Sequence, residues 1–379
     1  MKNKIIMILE QDLIYPYLDI RPFKEADTLK NRGYEVDFLT WNFYKQNKYK
    51  FTEDYKGFKI FRLQYKKINK FISAFQYFFC FISTFCYIKK HSYDIVHCHD
   101  TLPLLCSLLA KLFLGKKLVY DAHELSTEMG KPKFVSNYFK FIEFISCKFW
   151  DLLITTNKER TALILYRYPI TNISLVILNN YPKIDYYDYH NLKKKSEVLT
   201  IIYQGEISKK RETHRLIEAF KKLDIDYRLL LIGKCKDEMY FKKIIHDNNL
   251  DSKIILMQAL VNYELHKLMK EAHIGIISLD MNLLNNALCE PNKLYEYLLF
   301  GMTVFMPDCI HFNEFAKVFP NNSIIFYNQL HEIVASIKNY HLNIKDDDYL
   351  QRSKIIVKKY NWKAQENKLL KSYKELSRY

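Results

Sequence analysis

The sequence predicts an α/β protein of two doubly wound domains in tandem, each with helices on both faces of a largely parallel sheet. Short apolar runs alternate with longer helical patterns from one end to the other, as parallel strands covered on both faces do. The chain of 379 residues is long for a single core, and two domains of roughly 150 to 200 residues are the expectation. A polar, non-periodic stretch, "NNYPKIDYYDYHNLKKKSE" over 179–197, separates two rounds of the pattern.

In the first round, strands are expected at 5–9, "YEVDFLTW", "FKIFRLQY", "YDIVHCH", "KKLVYDAHE", "DLLITT" and "SLVILNN". Helices are expected over 22–31, 71–88, 101–113, 134–149 and from Lys158. The second round gives strands at "VLTIIYQG", "YRLLLIG", "KIILM", "IGIISL" and "TVFMP", with helices over 213–223, 238–248 and 262–272 and a helical C-terminus. Domain limits follow: 1–180, a linker over 181–197, 198–355, and a last helical segment over 356–379. Sheets of this kind bind ligands at the carboxyl ends of their strands.

Composition narrows the partners. With 58 basic and 42 acidic residues the net charge is +16, which suits anionic phosphates or an anionic membrane surface. The basic residues are spread along the chain, so a plain solvated surface satisfies the charge equally well, and no nucleic-acid motif appears. Eight cysteines show no CxxC pair and lie mostly in apolar runs, so reduced core thiols are expected, with neither zinc site nor disulfides. The start, "MKNKIIMILEQD", lacks the long apolar region of a signal peptide, and a cytoplasmic location is expected. Residues 71–88 carry no charge, but Ser73, Gln76, Ser83 and Thr84 dilute them, so a buried or interface-lying helix is expected in place of a membrane span.

Four strand ends carry candidate chemistry. "HCHD" (97–100) and "YDAHE" (120–124) each place His and acidic residues just past an apolar strand. Either alone is satisfied by a hydrogen-bonded structural histidine; two together favour a functional site, with His123 foremost. "YQGEISKKR" (203–211) is a strand, a glycine turn and a basic cluster entering a helix, where backbone N–H groups and an arginine suit a phosphate. Lysines in a first helical turn sit at the wrong end of the dipole for an ordinary surface helix. In "LCEPNKLYEY" (288–297), Pro291 suits a first helical turn. Asn292 and Lys293 would then face an anion, and Glu296 could accept two ribose hydroxyls. An exposed helix start with a Lys293–Glu296 pair fits the same residues. "KDDD", ending at Asp348, reads as a helix start and not as a metal-binding DxD.

Taken in order and spacing, these stretches resemble the retaining glycosyltransferases of family 4, of the GT-B fold, and in particular bacterial members that assemble surface polysaccharides such as capsule or lipopolysaccharide. The resemblance rests on "YPYLDIRPFKEADTLKNRGYEVDFLTW", "YDIVHCHDTLPLL", "LVYDAHEL", "IIYQGEISKKRETHRLIEAF" and "EPNKLYEYLLFGMTVF". The ending "YNWKAQENKLLKSYKEL" is similar to the helix that returns to the first domain in that fold. The resemblance implies an enzyme that takes a nucleotide-diphosphate sugar as co-substrate, with no other cofactor, and passes the sugar with retention to an acceptor hydroxyl. No metal is expected, since Arg211, Lys293 and helix N-termini can meet the diphosphate charge as a divalent ion would. The basic charge and aromatic surface suit a lipid-linked or oligosaccharide acceptor at the inner face of the membrane.

Carried over, the catalytic set is His123, Arg211 and Glu296. Glu296 holds the donor ribose, Arg211 the diphosphate, and His123 faces the sugar. The donor set is Gly205, Glu206, Arg211, Glu290, Pro291, Asn292, Lys293, Leu294 and Glu296. Arg21, His99, Asp100 and Glu124 belong to the acceptor side, with Arg21 in a loop that many members make glycine-rich. The chain departs from many members in having Leu288 where a glutamate is common, with Glu290 two residues on, and in having Glu206 where a basic residue is common. Those departures also fit a catalytically silent paralogue that binds a nucleotide sugar or a partner transferase.

Overall fold

The computed structural model describes residues 3–10, 13, 20–42, 50–64, 72–171, 173–190, 192, 195–342 and 348–376. Two compact units emerge, each with its own sheet: Met1–Asn180 with Leu283–Glu290 and Lys363–Tyr379, and Tyr181–Asn282 with Pro291–Trp362.

The first unit runs β1 (Lys4–Leu9), α1 (Ile20–Lys30), β2 (Glu35–Asn42), β3 (Thr52–Tyr55), β4 (Phe58–Gln64), α2 (Ile72–Lys90), β5 (Ile95–His99), α3 (Leu104–Leu114) and β6 (Lys117–Ala122). It continues with α4 (Lys133–Ser146), β7 (Leu152–Thr155), α5 (Lys158–Arg167) and β8 (Ser174–Ile177). Its sheet has the order β3-β4-β2-β1-β5-β6-β7-β8. All neighbours are parallel except the β3–β4 hairpin. β3, "TEDY", is a strand that sequence reading misses, because it has no apolar face and exists by pairing with β4.

The second unit contains β9 (Leu199–Gln204), α6 (Thr213–Phe220), β10 (Tyr227–Ile232), α7 (Glu238–Asp247), β11 (Ile254–Met257), α8 (Asn262–Glu271) and β12 (Ile274–Ile276). After α9 (Leu284–Ala287), which belongs to the first unit, come α10 (Asn292–Leu299), β13 (Thr303–Pro307), α11 (Asn313–Ala316), β14 (Ile324–Tyr327), α12 (Glu332–Leu342) and α13 (Asp348–Lys359). The all-parallel order is β11-β10-β9-β12-β13-β14. Successive residues of β9 serve opposite faces: Ile201 packs with Leu216, Ile217 and Phe220 of α6, and Ile202 with Leu294 and Leu298 of α10. β14 corrects the expectation of an all-helical ending. Its "IIFY" is a strand-length apolar run, and it completes the sheet beside β13.

Two further assignments differ from expectation. The stretch 181–197 is not a free linker: Tyr187 packs in the second unit's core, and buried Lys195 donates to Phe300 O at 2.8 Å. The last segment divides at Trp362, where α13 stays with the second unit and α14 (Lys363–Leu376) joins the first. All eight cysteines are free thiols. Of "KDDD", Asp348 opens α13, and the residues before it lie outside those described.

Candidate active site

In the second unit the strand order reverses direction between β9 and β12, the point where such sheets leave a crevice for ligands. The turn after β9 is built by backbone contact. Gly205 donates to Ile232 O at 2.9 Å, and a Cβ on Gly233 would lie 1.8 Å from Gly205 O, so only glycine lets β9 and β10 end this close together. Gly275 is equally constrained: a Cβ there would lie 2.2 Å from the ring of Tyr297. That ring lies against Gly275 of β12, and its hydroxyl accepts from Gln204 N at 3.1 Å. α10 is thereby registered on the end of β9.

The consequence is that the two second-domain motifs meet. Lys293 Nζ stands 2.8 Å from where a Cβ on Gly205 would be, so its ammonium covers the glycine turn. Glu296, buried, accepts from the hydroxyl of Tyr187 at 2.8 Å. Burial, and next the Glu296 carboxylate, push the Tyr187 phenol well above its usual range, so it stays a donor. Lys209–Arg211 forms a short 3-10 turn capped by Ser208, whose hydroxyl accepts from Arg211 N at 3.3 Å. α6 begins only at Thr213, after Glu212 in a left-handed conformation, so the cluster precedes a helix and does not enter one. Ser278, past β12, donates to Arg211 O at 3.2 Å. The Arg211 guanidinium, half-buried, has no hydrogen-bond or ion-pair partner among the described residues. Glu206 and Asn292 are exposed.

Three members of the expected donor set are placed otherwise. Leu294 lies wholly in the core and its amide donates to Pro291 O at 3.1 Å, so it seats the helix and offers nothing to a ligand. Pro291 caps α10 in extended conformation, one residue before the first turn. Glu290 belongs to the first unit, where its carboxylate accepts from Asn179 at 3.2 Å and its carbonyl from Asn180 at 2.7 Å.

The first unit gathers its histidines at the ends of β5 and β6. Asp121 is fully buried between Arg21 (Nη2–Oδ1 3.0 Å) and His99 (Nδ1–Oδ2 3.3 Å). Glu25 of α1 lies 3.2 Å from Arg21 Nε and 3.5 Å from His97 Nε2. Tyr373 of α14 meets His97 Nδ1 at 2.7 Å. Burial, and then the Asp121 charge, push Glu25 well above the usual carboxylate range. Burial would raise Asp121 too, but Arg21, His97 and His99 outweigh it and hold it well below. Burial, helped by His99, lowers His97 to about 4.

Four potential metal-ligating side chains, Glu25, His97, His99 and Asp121, converge here, yet the buried guanidinium of Arg21 already sits on both carboxylates. Arg21 is therefore not a loop residue: it lies on α1, 2% exposed, with further bonds to Leu178 O (2.9 Å) and Asn180 Oδ1 (2.7 Å).

His123 and Asp100 stand at the rim. Asp100 takes a left-handed backbone conformation (φ 59°) and its carboxylate accepts from Glu124 N at 2.9 Å, joining the two strand ends. His123 Nε2 lies 3.5 Å from Asp100 Oδ2, and burial holds its ring well below the usual histidine range, hence neutral. Glu124 is half-exposed and lies 3.5 Å from Arg160.

Arg160 ties several of these segments together, and sequence reading misses it. One turn into α5 and 1% exposed, it donates to the carbonyls of His123, Leu288 (2.8 Å) and Asn285 (3.0 Å). Asn157, the cap of α5, reaches the same Leu288 carbonyl at 3.1 Å. Leu288 thus acts through its backbone, which explains why an apolar side chain is tolerated there. "NKER" carries no signal beyond a helix cap, and two of the three carbonyls that Arg160 meets lie more than 120 residues away in sequence.

Residues 24–180 match the family model described as Glycosyltransferase Family 4, and residues 189–338 the model described as Glycosyl transferases group 1. The chain belongs to the family 4 glycosyltransferases. Solved structures agree on the GT-B fold at low identity. A sucrose-phosphate synthase from Thermosynechococcus elongatus has TM-score 0.78 and 13% identity, with 99% of each chain covered. A glycosyltransferase from Rickettsia africae has TM-score 0.69 and 17% identity over 99% of this chain and 98% of its own. HepE of Anabaena, in complex with UDP and glucose, has TM-score 0.70 and 12% identity over 98% and 100%. No curated protein sequence matches the chain.

Proposed function

We propose that this family 4 glycosyltransferase binds a nucleotide-diphosphate sugar on its second unit and passes the sugar, with retention of configuration, to a lipid-linked glycan acceptor in bacterial surface-polysaccharide synthesis. The observation that carries the donor reading is the pair of cations at the β9 turn: Lys293 held over Gly205, and Arg211 with its guanidinium unpaired among the described residues. A buried, oriented carboxylate, Glu296, stands on the same helix as Lys293 for the ribose hydroxyls. The UDP held by HepE supports a nucleotide donor.

Breaking the glycosidic bond places negative charge on the departing diphosphate. Arg211 and Lys293 lower the barrier to the extent that they meet that charge more strongly than the ground state, and this arrangement needs no divalent ion. His123, neutral and at the rim of its strand, faces the transferred sugar as a hydrogen-bonding group and not as a cation. The acceptor side comprises His99, Asp100 and Glu124, with Arg21 supporting them from within α1. A lipid-linked acceptor places the enzyme peripherally, on the inner face of the cytoplasmic membrane.

The test is a thermal-shift screen of nucleotide sugars followed by nucleoside-diphosphate release with a crude lipid-linked acceptor. A true donor at 100 times its Kd adds about 2.7 kcal/mol of stability. Donor binding without release of nucleoside diphosphate would leave only the silent-paralogue reading, and no shift with any nucleotide sugar would sink the assignment.

A further inference from the structure

Half of the large apolar side chains that the described residues expose sit on one part of the first unit, helices α2, α3 and α4 and the turn after α4. α3 packs against both α2 and α4. Phe85 of α2 meets Phe113 of α3 edge to face, with centroids 6.4 Å apart. The outward sides of the three helices therefore form one continuous surface.

On α4 the exposed residues are Phe134, Tyr138, Phe141 and Phe144, spaced three or four apart, while Phe139 and Ile142 face the core. The helix is apolar on both sides, which a soluble surface helix is not. α2 adds Phe78 and Phe79, each more than half exposed, and Ile82. α3 adds Leu112 and Phe113, the latter 72% exposed. Of the two expectations for 71–88, a buried or an interface-lying helix, the described part of α2 fits the second: Cys80 and Ile88 are buried while one side faces solvent with aromatic rings. Phe71 lies outside the described residues. Monomeric proteins rarely leave so large an apolar surface uncovered without a use for it.

Charge identifies the occupant. The exposed charges on and just after these helices are lysines: Lys89 and Lys90 close α2, Lys133 and Lys140 flank the α4 rings, and Lys148 follows them. Their single carboxylate, Glu143, is buried and accepts from Thr101, Tyr120 and Tyr168. Glu128, at the edge, is engaged by Lys140 at 3.5 Å and Arg167 at 2.8 Å. A protein-binding patch would be depleted of lysine. Aromatic rings with interspersed lysines and no facing anion suit the boundary of a bilayer, rings among the upper acyl chains and ammonium groups among phosphates. No helix among the described residues is long and apolar enough to cross a membrane.

We propose that the α2–α3–α4 surface docks the chain onto a bilayer carrying anionic headgroups. The proposal deepens the lipid-linked acceptor reading and rests on it only for what the docking serves.

The experiment is co-sedimentation of the full chain with phosphatidylcholine vesicles, with and without phosphatidylglycerol, at low and high salt. Wild type should bind the anionic vesicles, more weakly as salt rises. The triple variant Phe113→Ser/Phe141→Ser/Phe144→Ser should lose about tenfold or more in partitioning, and Lys133→Gln/Lys140→Gln/Lys148→Gln should lose the salt-sensitive part. All three positions of each set are at the surface, so the melting temperature and the donor-induced thermal shift should stay those of wild type. Equal binding of wild type and the phenylalanine variant, no preference for anionic vesicles, or a phenylalanine-dependent dimer that ignores vesicles would overturn it. A missing donor shift in wild type would count against the donor reading alone.

Discussion

The strand ends of the two units carry the same ingredients, cations and carboxylates on parallel sheets, and use them in opposite ways. In the first unit Arg21 is consumed internally, by Asp121, Glu25 and Asn180. In the second, Arg211 sits on a turn fixed by backbone hydrogen bonds, and its guanidinium is left over among the described residues. A buried cation surrounded by its own anions is structure. A cation positioned by its backbone, with no anion supplied among the described residues, is a candidate to meet a ligand's charge. The difference separates a group whose loss should unfold the protein from one whose loss should silence it.

The largest expected effect lies on the structural side. Arg21→Met strands Asp121 and Glu25 without their cation in a buried site, which typically costs 3–5 kcal/mol. Urea unfolding should show that loss, and a midpoint close to wild type would mean the network does not depend on its arginine. Arg211→Ala should do the reverse. Its melting temperature should stay within error of wild type while turnover falls about a hundredfold or more, the usual cost of one preorganised charge contact. Glu296→Ala should also slow turnover, with some loss of stability because Tyr187 then lacks its acceptor.

Acid sharpens the contrast further. His97 in the fold titrates near 4 because burial, and then His99, disfavour its charged form. An unfolded histidine titrates near 6.5. Its folded value is depressed, so its contribution is fully present above about pH 6.5 and is lost as pH falls towards 4, at most about 3 kcal/mol. Glu25, with its folded value raised, works in the opposite direction and favours the fold at low pH. Stability measured from pH 7 to 4 in wild type and His97→Gln separates them. The variant should lack about one proton's worth of slope in that window, and an unchanged slope would show that His97 does not titrate there.

How much of this could be read from the chain alone depends on the range of the interaction. Parallel strands announce themselves by local apolarity, so β1, β5, β6, β9 and β10 were legible, as was the glycine turn after β9. β3 was not, because its four polar residues are strands only by virtue of a partner. Arg211, Lys293 and Glu296 stood out because each sits in a short motif at a strand or helix end. Arg160 and Tyr187 did not. Arg160 finds its acceptors in segments 37 to 128 residues distant, and Tyr187 lies in "IDYYDYH", whose polarity reads as linker. Arg21 was legible as a charge and illegible as a partner, since nothing local says that Asp121, 100 residues on, will sit against it.

Tyr187 gives the smallest and most specific break in the comparison. Its hydroxyl joins a segment that looks like linker to the Glu296 carboxylate, and its ring packs against His266 and Phe300 at 5.4 and 6.4 Å. Tyr187→Phe keeps the ring and removes only the donor, leaving a buried carboxylate oxygen short of one bond, a cost of about 1–3 kcal/mol. If Glu296 serves the donor, the consequence reaches further than stability. Without the Tyr187 bond the carboxylate loses one of the constraints on its orientation, so the nucleotide-induced thermal shift should shrink in the variant relative to its own apo baseline. A variant that loses stability but keeps the full shift would make Tyr187 a core residue only, and would show that Glu296 holds its orientation without it.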